Sequence, residues 1–189
     1  MAAEGIGIGS SFALRAWRLE DADSLAANAD NRNVWSNLRS RFPRPYTSAV
    51  ARSWISRCIG GHERGLQLAI DVEGQAVGGI SVDLVTANAP RTGEIGYWLG
   101  EPWWNRGIAG AAVRLACPLA FERMSLDRLR AVVRSSNAPS IRILERSGFQ
   151  VQSRMRRSDR RPGSAVVEMV YVRERDGLAP ALEACATVA

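Results

Sequence analysis

The segment from Trp104 to Gly110 (WNRGIAG) has the composition of an anion-binding turn. It follows a predicted strand and opens a predicted helix, so its first amides have no partner within the helix, and the positive end of the helix dipole adds to them. Gly107 and Gly110 allow the main chain to approach a bulky phosphate, and Arg106 adds a positive charge. Glycines at a helix start serve packing equally well, so the turn alone leaves a purely structural role open.

A second segment, NAPSIRILERSGF at 137–149, has the composition of a short helix capped at both ends. Asn137 suits the N-cap and Pro139 the first turn. Gly148 suits a left-handed C-terminal cap, with Phe149 packing back on the helix. Such a helix needs no ligand. What favours a common binding role is the order along the chain: strand, glycine turn, long helix, strand, capped helix.

The composition excludes several kinds of chemistry. The chain has 189 residues, a net charge of +6 and 25 basic residues, all of them arginine. Without lysine there is no P-loop, and the single histidine, His62, lies in a glycine-rich turn that gives little support for a Ser-His or Cys-His hydrolase. Three scattered cysteines predict neither a disulfide framework nor a metal site.

The charge and hydropathy patterns indicate where the protein works and what it binds. A positive surface attracts phosphates, acidic substrates or nucleic acid. The arginines are dispersed and no recognition motif accompanies them, which argues against nucleic acid. The sequence shows no secretory leader and no apolar run of the about 20 residues needed to cross a bilayer, so we expect a cytoplasmic protein.

The secondary-structure elements that must position these residues follow a recognisable order. Strands form a meander, strands and helices then alternate, and two strands form a final hairpin. The pattern predicts strands at 12–17, 66–72, 77–85, 92–99, 128–134, 150–155 and 165–172, and helices at 19–30, 48–59, 108–124 and 138–147. Pro118 predicts a kink or an early end of the third helix. We expect one α/β (α+β) domain at 12–175 with a mixed, mostly antiparallel sheet and helices on both faces. A flexible leader (1–11) and an Ala-rich tail (176–189) flank it.

In this order, the two segments resemble the acetyl-CoA-binding core of the GNAT superfamily of N-acetyltransferases. The turn at 106–109 matches the family's pyrophosphate loop, except that Trp104 occupies the first position of the motif. With Asn137, Ser140 and the Gly-Phe ending at 148–149, this variant is similar to the branch that contains the ribosomal-protein alanine and serine N-terminal acetyltransferases.

The resemblance spans residues 12–172 and implies how the cosubstrate, acetyl-CoA, is bound. Backbone groups of Trp98 and Leu99 would pair with the pantetheine arm, and Asn137 and Ser140 would contact the same arm near the thioester. The pyrophosphate would be held by consecutive amides, those of Asn105, Arg106, Gly107, Ile108, Ala109 and Gly110. No metal is implied.

The resemblance also points to catalytic candidates. Many members of the family protonate the departing thiolate with a tyrosine, and the corresponding position here is Leu144. Ser140 is the nearest replacement, as a hydrogen-bond donor, and water is the alternative. The attacking amine must be neutral, and Glu94 is the candidate base, acting through water. A structural role for Glu94, exposed or paired with Arg91, stays open.

The acceptor amine is left open between a protein N-terminus and a small molecule. A weak base favours an α-amine, with a pKa of about 8, over a lysine side chain at about 10.4. Asn31, Trp35 and Tyr46 are candidate acceptor contacts, and the two aromatic residues would serve equally as core. The arginines of the last hairpin form either a solvated loop or a site for an acidic or ribosomal partner; they are Arg154, Arg156, Arg157, Arg160 and Arg161.

Two further expectations accompany this interpretation. A homodimer is common in the branch. The alternative function is a catalytically silent CoA-binding sensor or regulatory module, which the missing tyrosine and the solitary histidine suggest.

Overall fold

The computed structural model describes residues 3–4, 12–36, 38, 43–63, 65–86, 89–158 and 165–176. They form one sheet and five α-helices, with 3-10 turns at Leu19–Asp21 and Glu101–Trp103. The strands are β1 (Ala3–Glu4), β2 (Phe12–Arg15), β3 (Leu66–Val72), β4 (Gln75–Thr86), β5 (Thr92–Leu99), β6 (Arg128–Arg134), β7 (Gln150–Ser158) and β8 (Ala165–Glu174). The helices are α1 (Ala22–Ala29), α2 (Arg32–Trp35), α3 (Ser48–Ile59), α4 (Ile108–Arg123) and α5 (Ala138–Arg146).

The sheet is mixed, as the sequence predicts. Its strand order is β1-β2-β3-β4-β5-β6-β8-β7. Every neighbouring pair is antiparallel except β5 and β6, which are parallel because α4 crosses between them. The predicted fold class is confirmed.

Each face of the sheet has its own core. On the first face, α4 and α5 pack over strand residues such as Ile95 and Leu129, and we call this the α4 face. On the second face, α1 and α3 bury Leu25 and Ile55 against β3 and β4, and we call this the α1 face. Because successive side chains of a strand point to opposite faces of the sheet, alternate residues of β5 face the α4 face and the α1 face.

A buried ion-pair cluster fixes the start of α1 to the sheet. The Arg15 guanidinium donates to Asp71 through Nε at 2.7 Å and to both oxygens of Asp21, each at 2.7 Å. Burial alone would raise the pKa of Asp21, but hydrogen bonds from Arg15 and from the Arg18 amide hold it below its usual value. The cluster therefore joins β2, β3 and the turn before α1.

Two predictions about the elements need comment. At Pro118 the sequence predicts a kink or an early end of the helix; the early end does not occur, because α4 continues to Arg123, and the kink stays a prediction. Pro118 is exposed, so water can replace the hydrogen bond that the ring removes. Residues 3–4 pair with β2, and otherwise the leader and the tail after residue 176 lie outside the described residues. No helix in the described part is long and apolar enough to span a membrane.

Candidate active site

The two central parallel strands separate soon after they meet. β5 and β6 pair at three positions, from Thr92 with Arg128 to Glu94 with Arg130. Beyond them, β5 runs on to Leu99 and β6 to Arg134 with no further pairing between these described strands. The gap opens into a cavity of about 1070 Å³ that is lined from both faces of the sheet.

The hydrogen bonds on either side of β5 show which of its backbone groups face the gap. The Gly100 amide donates to the Val77 carbonyl on β4, and the Arg128 amide donates to the Arg91 carbonyl. Given the alternation of ladder bonds, these two contacts place the amides and carbonyls of residues 95, 97 and 99 toward β6. In the separated part of the strands they face the cavity.

This register changes one predicted cofactor contact. The backbone of Trp98 belongs to the ladder with β4, where Trp98 lies opposite Gly79. The groups available to a pantetheine arm are those of Tyr97 and Leu99. Of the two predicted pantetheine contacts, the backbone of Leu99 therefore faces the gap and that of Trp98 faces β4, and both assignments stay predictions.

The predicted phosphate loop begins directly after β5. The Trp104 indole donates from Nε1 to the Leu99 carbonyl at 2.7 Å, so the unusual tryptophan of the motif ties the loop to the strand end. Asn105 and Gly107 have left-handed backbones, with φ of 60° and 76°. The first main-chain bond of α4 runs from the Ala111 amide to the Gly107 carbonyl at 3.1 Å.

As a result, the loop presents a row of amides. Among the described residues, no amide from 105 to 110 donates to a protein atom. Residues Asn105, Gly107, Ile108, Ala109 and Gly110 line the cavity. The Arg106 guanidinium instead lies 5.0 Å from the centre of the Trp103 ring. A concave row of amides at a helix N-terminus suits a pyrophosphate.

The short helix α5 lies on the other side of the gap, capped as predicted. Asn137 Oδ1 accepts from the Ser140 amide at 3.3 Å. Gly148 has a φ of 82°, and the Phe149 amide donates to the Leu144 carbonyl at 3.1 Å. Leu144 is only 1% exposed, so the usual tyrosine position carries a core side chain.

A hydroxyl pair that the sequence analysis missed lies at the gap. The Tyr97 hydroxyl is 2.7 Å from Ser140 Oγ, where either oxygen can donate, and the single phenol proton can instead go to the Ser140 carbonyl at 3.2 Å. Burial raises the pKa of Tyr97 to about 12, so the phenol is neutral at physiological pH. Its position in β5 could have identified it from the sequence. The Tyr97 side chain points to the face opposite that of Glu94 and Trp98, where it is a polar residue in an otherwise apolar row.

Glu94 lies at the last paired position of β5, where the strands begin to separate. It lines the cavity, and its Oε2 accepts from Arg130 Nε at 2.7 Å and Nη2 at 2.6 Å. The ion-pair partner is thus Arg130 on β6, whereas the sequence suggested Arg91. Asp83 on β4 lies directly opposite Glu94 on the α1 face.

The three predicted acceptor contacts have different surroundings. Tyr46 is buried and lines the cavity. Asn31 caps α2 and donates to Glu101 Oε2 at 2.8 Å, while the Trp35 ring lies under the Arg44 guanidinium at 3.7 Å. Neither Asn31 nor Trp35 is among the described residues that line the cavity. Of the arginines in the last hairpin, those at 160 and 161 lie outside the described residues.

The cavity has two halves, named after the faces of the sheet. The α4 half is formed by the Asn105–Gly110 amides, the backbone of Tyr97 and Leu99, and α5. The α1 half is formed by side chains of several elements: Leu25, Val34, Leu38, Pro43, Tyr46, Trp54, Arg57, Ser81, Asp83 and Glu94. The described residues contain no group of three or more His, Cys, Asp or Glu able to hold a metal.

The chain matches known proteins over most of its length. Residues 12–150 match the family model described as the acetyltransferase (GNAT) domain. The uncharacterized N-acetyltransferase p20 of Bacillus licheniformis is 27% identical over 158 residues, which are 81% of this chain and 86% of the relative.

Solved structures share the fold. RimJ of Mycobacterium smegmatis, in complex with CoA-disulfide, has a TM-score of 0.79 and 25% identity and covers 92% of this chain and 86% of its own. The ribosomal-protein-S5-alanine acetyltransferase of Vibrio fischeri has a TM-score of 0.78 and 18% identity over 93% of this chain and 99% of its own.

The family model covers well over half of the chain, and the neighbours lie in the predicted branch. The chain belongs to the GNAT acetyltransferase family and is an acetyl-CoA-dependent N-acetyltransferase.

Proposed function

We propose that the protein transfers an acetyl group directly from acetyl-CoA to a primary amine while both substrates are bound. The observation that carries the proposal is one continuous cavity, which passes through the gap between β5 and β6 and is lined from both faces. Acetyl-CoA occupies the α4 half and the amine the α1 half, so the two substrates meet at the gap.

A covalent acetyl-enzyme is disfavoured by the state of the two cysteines that the structure describes, Cys58 and Cys117. Burial raises the pKa of Cys58 to about 12 and that of Cys117 to about 11. Both thiols are therefore neutral at physiological pH, and the thiolate is the nucleophilic form. Direct attack by the amine needs no such group.

The α4 half suits the charged and amide-rich parts of the cosubstrate. The amides at 105–110 would bind the pyrophosphate, and the backbone of Tyr97 and Leu99 would pair with the pantetheine amides. Asn137 Oδ1 is already the cap of α5, so its proposed role is to position Ser140 at the thioester.

In the transfer step, the neutral amine nitrogen forms a bond to the carbonyl carbon and releases one proton to water, and the carbon–sulfur bond breaks with its electron pair going to sulfur. Tyr97 donates to Ser140 Oγ through the 2.7 Å contact, which leaves the Ser140 proton available for a hydrogen bond to that sulfur. A phenol with a pKa of about 12 holds its proton more tightly than a thiol at about 8.5, so the pair stabilises the thiolate, and water supplies the proton.

The proposed base is Glu94, acting through water on the ammonium form of the acceptor. Arg130 fixes its carboxylate where the two strands separate, between the two halves of the cavity. Among the structural neighbours, the Vibrio fischeri protein is a ribosomal-protein-S5-alanine acetyltransferase. An N-terminal α-amine is accordingly our leading acceptor, with a small-molecule amine as the alternative.

A titration followed by kinetics tests the proposal. Calorimetry should show saturable binding of acetyl-CoA and CoA, and none of ATP or NAD. Thiol release with an amine panel should then fall about 100-fold in Glu94→Gln, as for loss of a general base, with unchanged affinity for acetyl-CoA. Glu174→Gln is the control, because it removes a carboxylate that also accepts from an arginine Nε at 2.7 Å, that of Arg128, and neither residue lines the cavity. Equal rates for Glu94→Gln and the native protein at every pH would remove Glu94 from the mechanism.

A further inference from the structure

Gly96 is a glycine in the middle of β5 for which packing gives no reason. A Cβ at Gly78 would lie 2.4 Å from the Trp98 carbonyl oxygen, and one at Gly93 would lie 2.6 Å from Leu126. At Gly79 the rings of Trp17 and Trp98 are both 3.1 Å away. A Cβ at Gly96 meets only Ser81 Oγ, at an ordinary 3.6 Å.

The open space beside Gly96 belongs to the cavity. Gly96 is exposed and lines the cavity, and Ser81 lies directly opposite on β4. Glycine weakens a strand, and it commonly marks a place where a ligand approaches the backbone. The pair Ser81 and Gly96 is therefore a flat floor between the carboxylates of Asp83 and Glu94 at one end and Trp98 at the other.

The side chains around this floor indicate the kind of molecule that it accepts. Those facing it from α1, α3 and the segment between them are mostly apolar or aromatic: Leu25, Val34, Leu38, Pro43, Tyr46 and Trp54. An apolar group that fills this space is stabilised because its apolar surface leaves water.

The charged side chains of the α1 half already have partners. Asp83 accepts from Gln67 at 2.7 Å, Glu94 is bound by Arg130, and Arg57 pairs with Glu63 at 2.8 Å. Two carboxylates with such neighbours suit one ammonium group. They do not supply the row of unneutralised charges that a polyamine or an amino sugar would require.

We infer that Gly96 sets the size of the acceptor, and that the acceptor is an α-amine with one apolar substituent, which lies over Gly96 and Ser81 against Trp54 and Tyr46. This inference rests on the proposed amine acetylation. A free amino acid and a protein N-terminus both provide such an α-amine. They differ in the group attached to the α-carbon, which is a carboxylate in the free amino acid and a peptide amide in the protein.

Acetylation kinetics of wild type and Gly96→Val test the inference. The acceptors are glycinamide, alaninamide, leucinamide and phenylalaninamide, with spermidine as the polycation. The rate with free leucine, compared with that with leucinamide, distinguishes a free amino acid acceptor from a protein N-terminus. The wild type should prefer leucinamide to glycinamide and to spermidine at least tenfold in kcat/KM. Gly96→Val should lose at least tenfold with leucinamide and less than threefold with glycinamide.

Two measurements keep the result specific to the acceptor. Valine favours a strand, so the melting temperature should not fall, and the calorimetric Kd for acetyl-CoA should stay within threefold. Val85→Ile adds a methylene at an exposed position of β4 outside the cavity and should leave every rate unchanged.

The outcomes separate the two proposals. Equal losses with all amides, or a wild type that ranks spermidine above leucinamide, overturn the inference and leave amine acetylation standing. Binding of acetyl-CoA with no thiol release in the presence of any amine overturns the proposed function, and the inference falls with it.

Discussion

The two halves of the cavity are built from different parts of the chain. The α4 half consists largely of main chain: the amides at 105–110 and the backbone groups of Tyr97 and Leu99. The α1 half consists of side chains that come from α1, α3, β4, β5 and the segment between α1 and α3. A main-chain site depends on local φ and ψ angles, whereas a side-chain site depends on what each element happens to carry.

This difference fits a fold that keeps one cosubstrate and changes the other. The geometry that presents the amides needs only a few residues, such as the left-handed Gly107, and leaves the rest of α4 free to pack. Side chains of the α1 half can be replaced with little change to the sheet beneath them. Acceptor specificity is therefore a matter of the site and not of the fold.

The most severe test of the main-chain half is Gly107→Val. Its φ of 76° is left-handed, which costs a side chain about 1–2 kcal/mol, and the added atoms would occupy open space where Gly107 lines the cavity. We expect the Kd for acetyl-CoA to rise about thirtyfold, which corresponds to about 2 kcal/mol. Isothermal titration measures it.

The chain offers a matched control for this variant. Gly61 has a φ of 70° and equally open surroundings, but it lies in the turn after α3. Gly61→Val should lower the melting temperature as much as Gly107→Val does and leave the Kd unchanged. If both variants weakened acetyl-CoA binding alike, the α4 half would not be a main-chain phosphate site.

A smaller effect is expected where the two halves meet. Tyr97→Phe removes the hydroxyl that supports Ser140, so kcat should fall about tenfold, the value of a hydrogen bond worth about 1.4 kcal/mol. The KM values for acetyl-CoA and the amine should change less than twofold. Steady-state kinetics with both substrates varied measure the split.

The control is Tyr171→Phe, which also removes a hydroxyl. In the native protein that hydroxyl donates to Oε1 of Glu145, a residue of α5, at 3.1 Å. This variant should show native kcat whatever its stability. A drop in kcat for both variants would mean that Tyr97 acts only by supporting α5, and the hydroxyl pair would lose its role at the thioester.

The same contrast explains what the sequence could predict. β3, β5, β6 and α3 have the predicted bounds, and Asn137 and Gly148 cap α5 as expected, because strand alternation and caps are local patterns. The pairs Tyr97 with Ser140 and Glu94 with Arg130 join residues 43 and 36 positions apart. They depend on how β5 and β6 align and where they separate, which no local pattern specifies.

The mildest test compares the tyrosines buried in the two halves at high pH. Burial raises the pKa of Tyr46 in the α1 half and of Tyr97 in the α4 half, each to about 12 from 10. Because the folded pKa is the higher one, the stability from each phenol is complete below pH 10 and is lost as the pH rises from 10 to 12. Cys58 and Cys117 act in the same direction from about pH 9.

Urea unfolding at pH 8, 10 and 11 measures this loss in the wild type, Tyr46→Phe and Tyr97→Phe. The free energy of unfolding of the wild type should decline above pH 10, and each phenylalanine variant should decline less, by on the order of 1 kcal/mol at pH 11. Similar reductions in the two variants would show that both halves exclude water comparably. If the free energy of unfolding of a variant declined as steeply as that of the wild type, the phenol in that half would be accessible to water. That result would contradict the burial on which this prediction rests.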